Sequence, residues 1–178
     1  MQVTINANGK SIQAEISEEQ LKKLGLTEER SRTGYERVDD RGGIYYLSNS
    51  TGEAVNAIEN NAQFDENRYN AGNYYSDEQI AKNNARADKL LCQLRQWQAS
   101  HDKAITLTDW ETNTNKYKIK YNYVDNCPFV CIERNLRDPN IVYFSSNKKA
   151  EEAIEVFKDE LKWYFTEYVQ RLDEVQNG

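Results

Sequence analysis

Alternating apolar positions open the chain and predict a β-hairpin. Val3 and Ile5 alternate with polar residues before Asn8 and Gly9, and the alternation resumes afterwards. Because Asn-Gly supplies the two positive-φ positions of a tight hairpin turn, we expect two antiparallel strands here. Ser17-Glu18-Glu19-Gln20 then fits a capping box, which predicts a short helix before Gly25.

Short apolar and aromatic runs follow and predict an antiparallel meander. The runs are Tyr35–Val38, Ile44–Leu47 and Glu53–Ala57, and turns rich in Gly, Asn and Asp separate them. Such turn clusters between aromatic and β-branched residues are typical of hairpin connections. Residues 59–72 are polar and predict a loop.

Two long segments show helical spacing of their apolar residues. The first begins after Ser76, which we interpret as its N-cap, and covers residues 77–98. The second begins after Ser145 or Ser146, and its apolar residues recur every three or four positions as far as Val175. A stripe of this kind predicts an amphipathic helix with one buried face.

Three further strands are predicted between these helices. Lys116–Tyr123 alternates strictly, and the other two strands are Phe129–Ile132 and Ile141–Phe144. Because side chains alternate across a strand, Tyr and Ile residues of the first strand share one face and its lysines share the other. A solvated row of lysines also discourages edge aggregation, so the lysine face need not bind a ligand.

Together these elements predict an α+β fold. We expect an N-terminal β-hairpin and short helix (residues 1–33), followed by two antiparallel β-meander-plus-helix units (34–98 and 99–178), with a long last helix. An aromatic pair and a serine precede both long helices, which suggests an internal repeat. A meander with one apolar face needs a cover, and the following helix provides it.

Charge and cysteine content narrow the functional classes. The 178 residues include 23 basic and 29 acidic side chains, giving a net charge of -6. This charge disfavours a protein that coats free nucleic acid and suits docking on a basic protein, although it also serves solubility alone. The odd number of cysteines, three, and the lack of a secretory signal favour a cytoplasmic location.

Catalytic and metal motifs are missing from the sequence. The single histidine, His101, lies beside Asp102 without a nucleophile motif, so we interpret it as a surface residue. Cys127 and Cys131 lack the further ligands that zinc needs, and we interpret them as a reduced pair. With no phosphate loop, metal-binding motif or elbow serine, we expect a non-enzymatic protein with no catalytic residue, metal or cofactor.

Two sets of residues are candidates for binding a macromolecule. Acidic residues and Trp163, which lies off the apolar stripe of the last helix, would contact a protein partner. This set is Asp39, Asp40, Glu151, Glu152, Glu155, Asp159, Glu160 and Trp163. Basic rows on one helix and one strand could instead contact phosphates. The alternative set is Lys82, Arg86, Lys89, Lys116, Lys118 and Lys120.

Four segments carry a resemblance to a known group of proteins. They are Tyr35–Val38, Asp65–Glu78, Asn83–Leu91 and Val142–Ser146. With them, most of residues 1–175 resemble accessory proteins of phages and mobile elements in Firmicutes. Some proteins of this type are anti-CRISPR proteins that bind and inhibit type II CRISPR effector nucleases.

The resemblance implies binding to a guide-RNA-loaded nuclease, whose basic channels suit an acidic protein. It also implies that the protein acts in the cytoplasm of the bacterial host. A nucleic-acid-binding accessory module and a structural, self-assembling phage protein are the alternatives, and the sequence leaves the oligomeric state open.

Overall fold

The chain divides into two compact units, residues 1–32 and 33–178, and the smaller one contains a pair of antiparallel strands. The computed structural model describes residues 2–7, 10–15, 17, 20, 23, 32–38 and 41–177. Strand β1 (Gln2–Ala7) pairs with β2 (Lys10–Glu15), with Ala7 opposite Lys10.

This pairing confirms the predicted strands of the hairpin. The turn residues Asn8 and Gly9 lie outside the described residues, as does most of the short helix predicted after them. Ser17 and Gln20 are described, and they exchange the reciprocal hydrogen bonds of a capping box.

The larger unit contains helices and two antiparallel sheets, which confirms the α+β class. Its elements are β3 (Ile44–Ser48), β4 (Ala54–Ile58), α1 (Gln63–Asn70), α2 (Glu78–His101), α3 (Leu107–Glu111), β5 (Lys116–Asn122), β6 (Cys127–Glu133), β7 (Tyr143–Phe144), α4 (Asn147–Val156), α5 (Lys158–Thr166) and a 3-10 helix (Leu172–Asn177). Strands β3 and β4 form one sheet, and β5 lies between β6 and β7 in the other. Across the described residues, no helix is both long and apolar enough to cross a bilayer.

The first meander differs from the prediction in two places. Tyr35–Val38 is not a strand, and residues 59–72, predicted as a loop, contain α1. Helix α1 has no apolar stripe, so periodicity could not reveal it. Asp65, which is fully buried, accepts hydrogen bonds from the Tyr45 hydroxyl and from the N–H groups of Asn60 and Ala62. The helix is therefore anchored by a buried polar contact to β3.

The start of α2 is shifted by one residue from the prediction. Asp77, not Ser76, is the N-cap, and its carboxylate accepts a hydrogen bond from the N–H of Ile80. The Ser76 hydroxyl instead donates to Glu36. At the other end α2 continues to His101, three residues beyond the predicted end.

The predicted long last helix is interrupted and shorter than expected. Ser146, one of the two predicted N-cap residues, is the N-cap of α4. The backbone then leaves helical geometry at Phe157 (φ -109°, ψ 20°). Helix α5 then ends at Thr166. The N–H of Phe157 still donates to Ala153 and that of Leu161 to Phe157. The apolar spacing therefore continues through the interruption, which is why the sequence predicts one helix.

The main hydrophobic cluster lies between α2, β7, α4 and α5. Its buried members are Leu90, Leu94, Phe144, Ala150, Ala153 and Leu161. A second cluster, Tyr75, Ile80 and Ala81, lies at the start of α2. Because α2 contributes to both clusters, it joins the β3–β4 sheet to the second sheet and its helices.

Candidate functional site

A shallow groove of about 930 Å³ lies between the end of α2, strand β6 and helix α4. Its lining residues are Trp97, His101, Pro128, Phe129, Val130, Lys148, Glu151, Glu152, Ile154, Glu155 and Val156. Three of the carboxylates predicted to contact a partner, those of Glu151, Glu152 and Glu155, therefore lie at one site. We call this site the acidic groove.

The capping of α4 places these carboxylates. Ser146 accepts a hydrogen bond from the N–H of Lys149, and Glu151 and Glu155 follow four residues apart on the exposed side of the helix. The Glu151 carboxylate accepts a hydrogen bond from the side chain of Asn147. Residues four apart on a helix are neighbours, so these two negative charges reinforce each other's field.

Glu152 differs from its neighbours because two lysines face it. Lys149 Nζ lies 2.7 Å from its carboxylate and Lys148 Nζ lies 4.0 Å away. The hydrogen bond from Lys149 lowers the pKa of Glu152, although partial loss of water opposes this shift. Glu152 is therefore partly neutralised, and Glu151 and Glu155 carry most of the available negative charge.

An aromatic pair forms one wall of the groove. The rings of Trp97 and His101 stack with centroids 4.8 Å apart and planes 14° from parallel. His101 Nδ1 lies 2.9 Å from the carbonyl oxygen of Trp97. Because a carbonyl only accepts, Nδ1 carries the proton and donates it. His101 is exposed, as the sequence suggested, but it is also part of a structured wall.

Exposed apolar side chains complete the groove. Phe129 of β6 is 41% exposed and Val156 of α4 is 60% exposed. Large apolar side chains in a concave surface with charged residues at its edge are typical of protein interfaces. The sequence analysis placed Phe129 in a predicted strand and interpreted His101 as a surface residue, and it selected neither for binding. The signal that could have revealed the aromatic wall is the four-residue spacing of Trp97 and His101.

Trp163, which was selected for protein contact because it lies off the apolar stripe, is a buried side chain. Its side chain is 9% exposed and lies under the Arg86 guanidinium, 4.0 Å from the ring centroid. Arg86 also donates two hydrogen bonds, of 2.8 Å and 3.0 Å, to Glu160. These bonds raise the pKa of Arg86 and lower that of Glu160. The three residues connect α2 to α5, and the side chains of Arg86 and Glu160 remain 44% and 40% exposed.

Asp159, another of the acidic candidates, is not part of the groove lining. Asp159 is exposed in the first turn of α5. Asp39 and Asp40 lie outside the described residues.

The predicted lysine row on β5 is largely internal. Lys116 is 1% exposed and Lys118 is 6% exposed, whereas Lys120 is exposed. Lys116 Nζ donates to the backbone oxygen of Asp109 and lies 4.2 Å from the Trp110 ring centroid. Lys118 Nζ lies 2.5 Å from Asp138 and 3.2 Å from Glu133, and the bond to Asp138 raises its pKa strongly. The exposed lysine face expected on β5 is therefore wrong for these two residues.

The basic row on α2 does lie together. Lys82, Arg86 and Lys89 line a shallow depression of about 300 Å³ with residues 52–54. Lys82 pairs with Glu78 at 2.7 Å, and Arg86 pairs with Glu160 as described. Two of the three cations therefore have carboxylate partners on this protein, which reduces the charge they offer to a phosphate.

Two further acidic residues are buried, one just before α1 and one within it. Glu59 and Asp65 are fully buried, and the rings of Tyr45 and Tyr74 stack 4.0 Å apart beside them. Tyr74 donates to Glu59 and Tyr45 to Asp65. Burial works to raise the pKa of each carboxyl, but these and other hydrogen bonds outweigh it and lower both pKa values. Each carboxylate is held charged by its neighbours, as expected of structural anchors.

Comparison with known proteins identifies no relative of this chain. The chain matches no protein-family model, no curated protein and no solved structure.

Proposed function

We propose that this protein is a non-enzymatic binding protein whose acidic groove docks on a basic surface of a protein partner. The observation that supports this proposal is the combination, in one groove, of exposed carboxylates with the exposed side chains of Phe129 and Val156. Interfaces derive binding energy from apolar anchors and derive orientation and association rate from complementary charge. The groove offers both.

The partner that we propose is a guide-RNA-loaded CRISPR effector nuclease, so that the protein acts as an anti-CRISPR inhibitor. The support for this choice is the sequence resemblance to accessory proteins of phages and mobile elements. Effector nucleases hold nucleic acid in positively charged channels. A protein with a net charge of -6 and its carboxylates beside apolar anchors suits such a channel. Occupying the channel would exclude the target DNA.

The proposal is tested by association and cleavage assays with purified type II effector. Glu151→Lys/Glu155→Lys reverses the two freest charges of the groove. We expect it to weaken association at least about tenfold and to reduce the salt dependence of the association rate. The matched control is Glu111→Lys/Glu167→Lys, which makes the same change of charge at exposed positions outside the groove.

Two outcomes would contradict the proposal. Undiminished target cleavage at a large molar excess of the wild-type protein would remove the nuclease as its partner. Equal association of the groove variant and the control variant would remove the groove as its binding site.

A gel shift on duplex and single-stranded DNA at increasing salt tests the alternative, nucleic-acid binding, because phosphate binding weakens steeply with salt. A shift that Lys82→Gln/Lys89→Gln abolishes would favour nucleic-acid binding.

A further inference from the structure

Strand β6 forms an outer edge of the second sheet. All seven of its residues, from Cys127 to Glu133, pair with β5, and β5 separates it from β7. In the described part of the chain, no other backbone hydrogen bond involves β6. Alternate residues of a strand direct their N–H and C=O groups to opposite sides. The groups on the outer side of β6 therefore have no strand partner among the described residues.

This edge is accessible and only partly protected. None of the residues of β6 is buried, whereas three residues of β5 are. Natural edge strands are commonly protected by proline or lysine. Strand β6 has Pro128 near its start, but residues 129–133 contain neither residue type. These residues therefore offer an edge to which another strand can add.

The same strand borders the acidic groove. Its residues Pro128, Phe129 and Val130 line the groove together with Glu151 and Glu155 of α4. Val130 packs toward the main hydrophobic cluster, to which α4 contributes. A segment added to β6 would direct alternate side chains to this face of the sheet, because side chains alternate along a strand. Those side chains would lie beside the carboxylates of α4.

Charge selects the occupant of the edge. A second copy of the chain would bring its own acidic groove and a second net charge of -6 to the same place. Like charges placed together oppose association. A segment with basic residues at alternate positions instead satisfies both the open backbone and the carboxylates.

Two cations near the edge do not reverse this preference. Lys148 of the groove lies 4.0 Å from the Glu152 carboxylate. Lys120 lies opposite Phe129 on β5, one strand further from the edge. The charges of Glu151 and Glu155 therefore remain available to a basic segment.

We propose that β6 takes up an extended basic segment of the protein partner as a further strand of its sheet. Backbone hydrogen bonds to residues 129–133 hold the segment, and its alternate basic side chains pair with Glu151 and Glu155. This inference rests on the proposed function, because it names the part of the partner that the acidic groove receives. It adds the requirement that the bound segment be extended.

Calorimetric titration of the full chain with three synthetic peptides tests this inference. In the first, of about eight residues, a usual strand length, lysine alternates with valine. The second has the same residues in two blocks, and the third is the first with every backbone nitrogen methylated. We expect saturable one-to-one binding of the first. The others should bind at least about tenfold more weakly, because one loses the alternation and the other its N–H donors, while both keep the charge.

Matched variants locate the binding edge. Ile132→Lys places a cation on β6 and should weaken binding of the alternating peptide about tenfold. Ile44→Lys is the control, because Ile44 is 54% exposed, close to the 53% of Ile132, and lies in the other sheet. It should bind the peptide as the wild type does. Circular dichroism identifies which variants retain the fold.

Amide hydrogen exchange of the wild type provides a measurement that needs no variant. The alternating peptide should slow exchange at alternate residues of 129–133 and leave β4 unchanged. The inference is overturned if this peptide does not bind, if the methylated peptide binds as tightly, or if exchange at residues 129–133 does not change. A wild-type dimer that Ile132→Lys dissociates would also overturn it, by assigning the edge to a second copy of the chain.

Failure of this inference is distinguishable from failure of the proposed function. If the nuclease associates through Glu151 and Glu155 but no peptide adds to β6, the inference alone is wrong. If the alternating peptide adds to β6 but the nuclease does not associate, the inference is supported and the nuclease is removed as the partner.

Discussion

Glu36 accepts four hydrogen bonds at the start of the larger unit. The donors are the N–H and hydroxyl of Thr33 (2.5 and 2.7 Å), the N–H of Gly34 (3.0 Å) and the hydroxyl of Ser76 (3.0 Å). Loss of water around the carboxylate works to raise its pKa, but the hydrogen bonds outweigh this and lower the pKa from 4.5 to about 2. One side chain therefore connects the turn at Thr33 to the residue that precedes the cap of α2.

Acid should destabilise the protein partly through Glu36. In the unfolded chain this carboxyl takes up a proton near pH 4.5, whereas in the folded protein it stays charged down to about pH 2. Its contribution to stability is therefore present above pH 4.5 and is lost as the pH falls to about 2. In urea denaturation at a series of pH values, Glu36→Gln should show a smaller loss of stability over this interval than the wild type.

The control for this measurement is Glu111→Gln, which removes an exposed carboxyl at the end of α3. It should follow the wild-type pH dependence. If Glu36→Gln and the wild type lose the same stability across this interval, the hydrogen bonds to Glu36 do not lower its pKa in solution.

Gly34 is required for two separate reasons. Its φ is +92°, and a Cβ added there would lie 2.8 Å from Cγ1 of Ile80. Gly42 has nearly the same φ, +94°, and, its chain neighbours apart, no atom of the described residues lies within 4 Å of an added Cβ. We expect Gly34→Ala to lower the free energy of unfolding by about 3 kcal/mol and Gly42→Ala by about 1 kcal/mol. Equal losses in chemical denaturation would show that the contact with Ile80 costs nothing.

At the level of single elements, β5 shows the limit of strand alternation. The sequence assigned its lysines to the correct face but did not predict which residues cover that face. Alternation placed Lys116, Lys118 and Lys120 on one face. Helix α3 brings Asp109 and Trp110 against Lys116, and residue 138 of a distant turn reaches Lys118. Both contacts join a lysine of β5 to residues outside the strand. The alternation of residues within β5 therefore cannot predict them.

Removing the charge of Lys118 should therefore destabilise the sheet. Lys118→Met keeps an apolar stem in a buried position but leaves Glu133 and Asp138 without their shared cation. Breaking a buried ion pair costs more than removing an exposed one. Because Asp138 is half exposed, we expect a loss of about 2 kcal/mol in the free energy of unfolding.

The neighbouring variant Lys120→Met is the control, because Lys120 is exposed. It should change the free energy of unfolding by less than about 0.5 kcal/mol. Thermal or urea denaturation of both variants measures the difference. Similar losses in the two variants would mean that the ion pairs of Lys118 add no stability.

Other elements show the same difference between structure that local sequence patterns predict and structure that depends on contacts between distant residues. The strands β3, β4, β5 and β6 and the start of α4 were predictable from alternation, turn residues and a serine cap. Helix α1 was not, because polar contacts to Tyr45 and Asn60 stabilise it. For the acidic groove, the sequence selected Glu151, Glu152 and Glu155 by charge. It could not select Phe129, because the approach of β6 to α4 brings that residue to the groove.

At the scale of the whole molecule, the acidic groove and the hydrophobic clusters belong to residues 33–178. Both clusters draw their described members from positions 35–172, and the acidic groove is lined by positions 97–156. The chain also divides between residues 32 and 33. The larger unit therefore contains the apolar burial that a domain of its size requires.

We accordingly expect residues 33–178 to fold when expressed alone. The truncated chain should unfold in one cooperative transition, with a Tm within about 3 °C of the full chain, since it keeps the described members of both hydrophobic clusters. It should also keep the affinity of the acidic groove for the partner. Calorimetry and the association assay measure the two properties.

The informative control is a shorter chain, residues 41–178, which lacks the segment from Thr33 to Val38. This chain loses Glu36 and also Arg37, which pairs with the buried Glu59 over 3.4 Å and with Glu66. Glu59 would then be buried with one fewer partner. We expect the Tm to fall by about 10 °C, corresponding to about 3 kcal/mol in a unit of this size. If both truncated chains unfold at the same temperature, the contacts of residues 33–38 do not stabilise the larger unit. If the longer truncated chain does not fold, the first 32 residues are part of its folding unit.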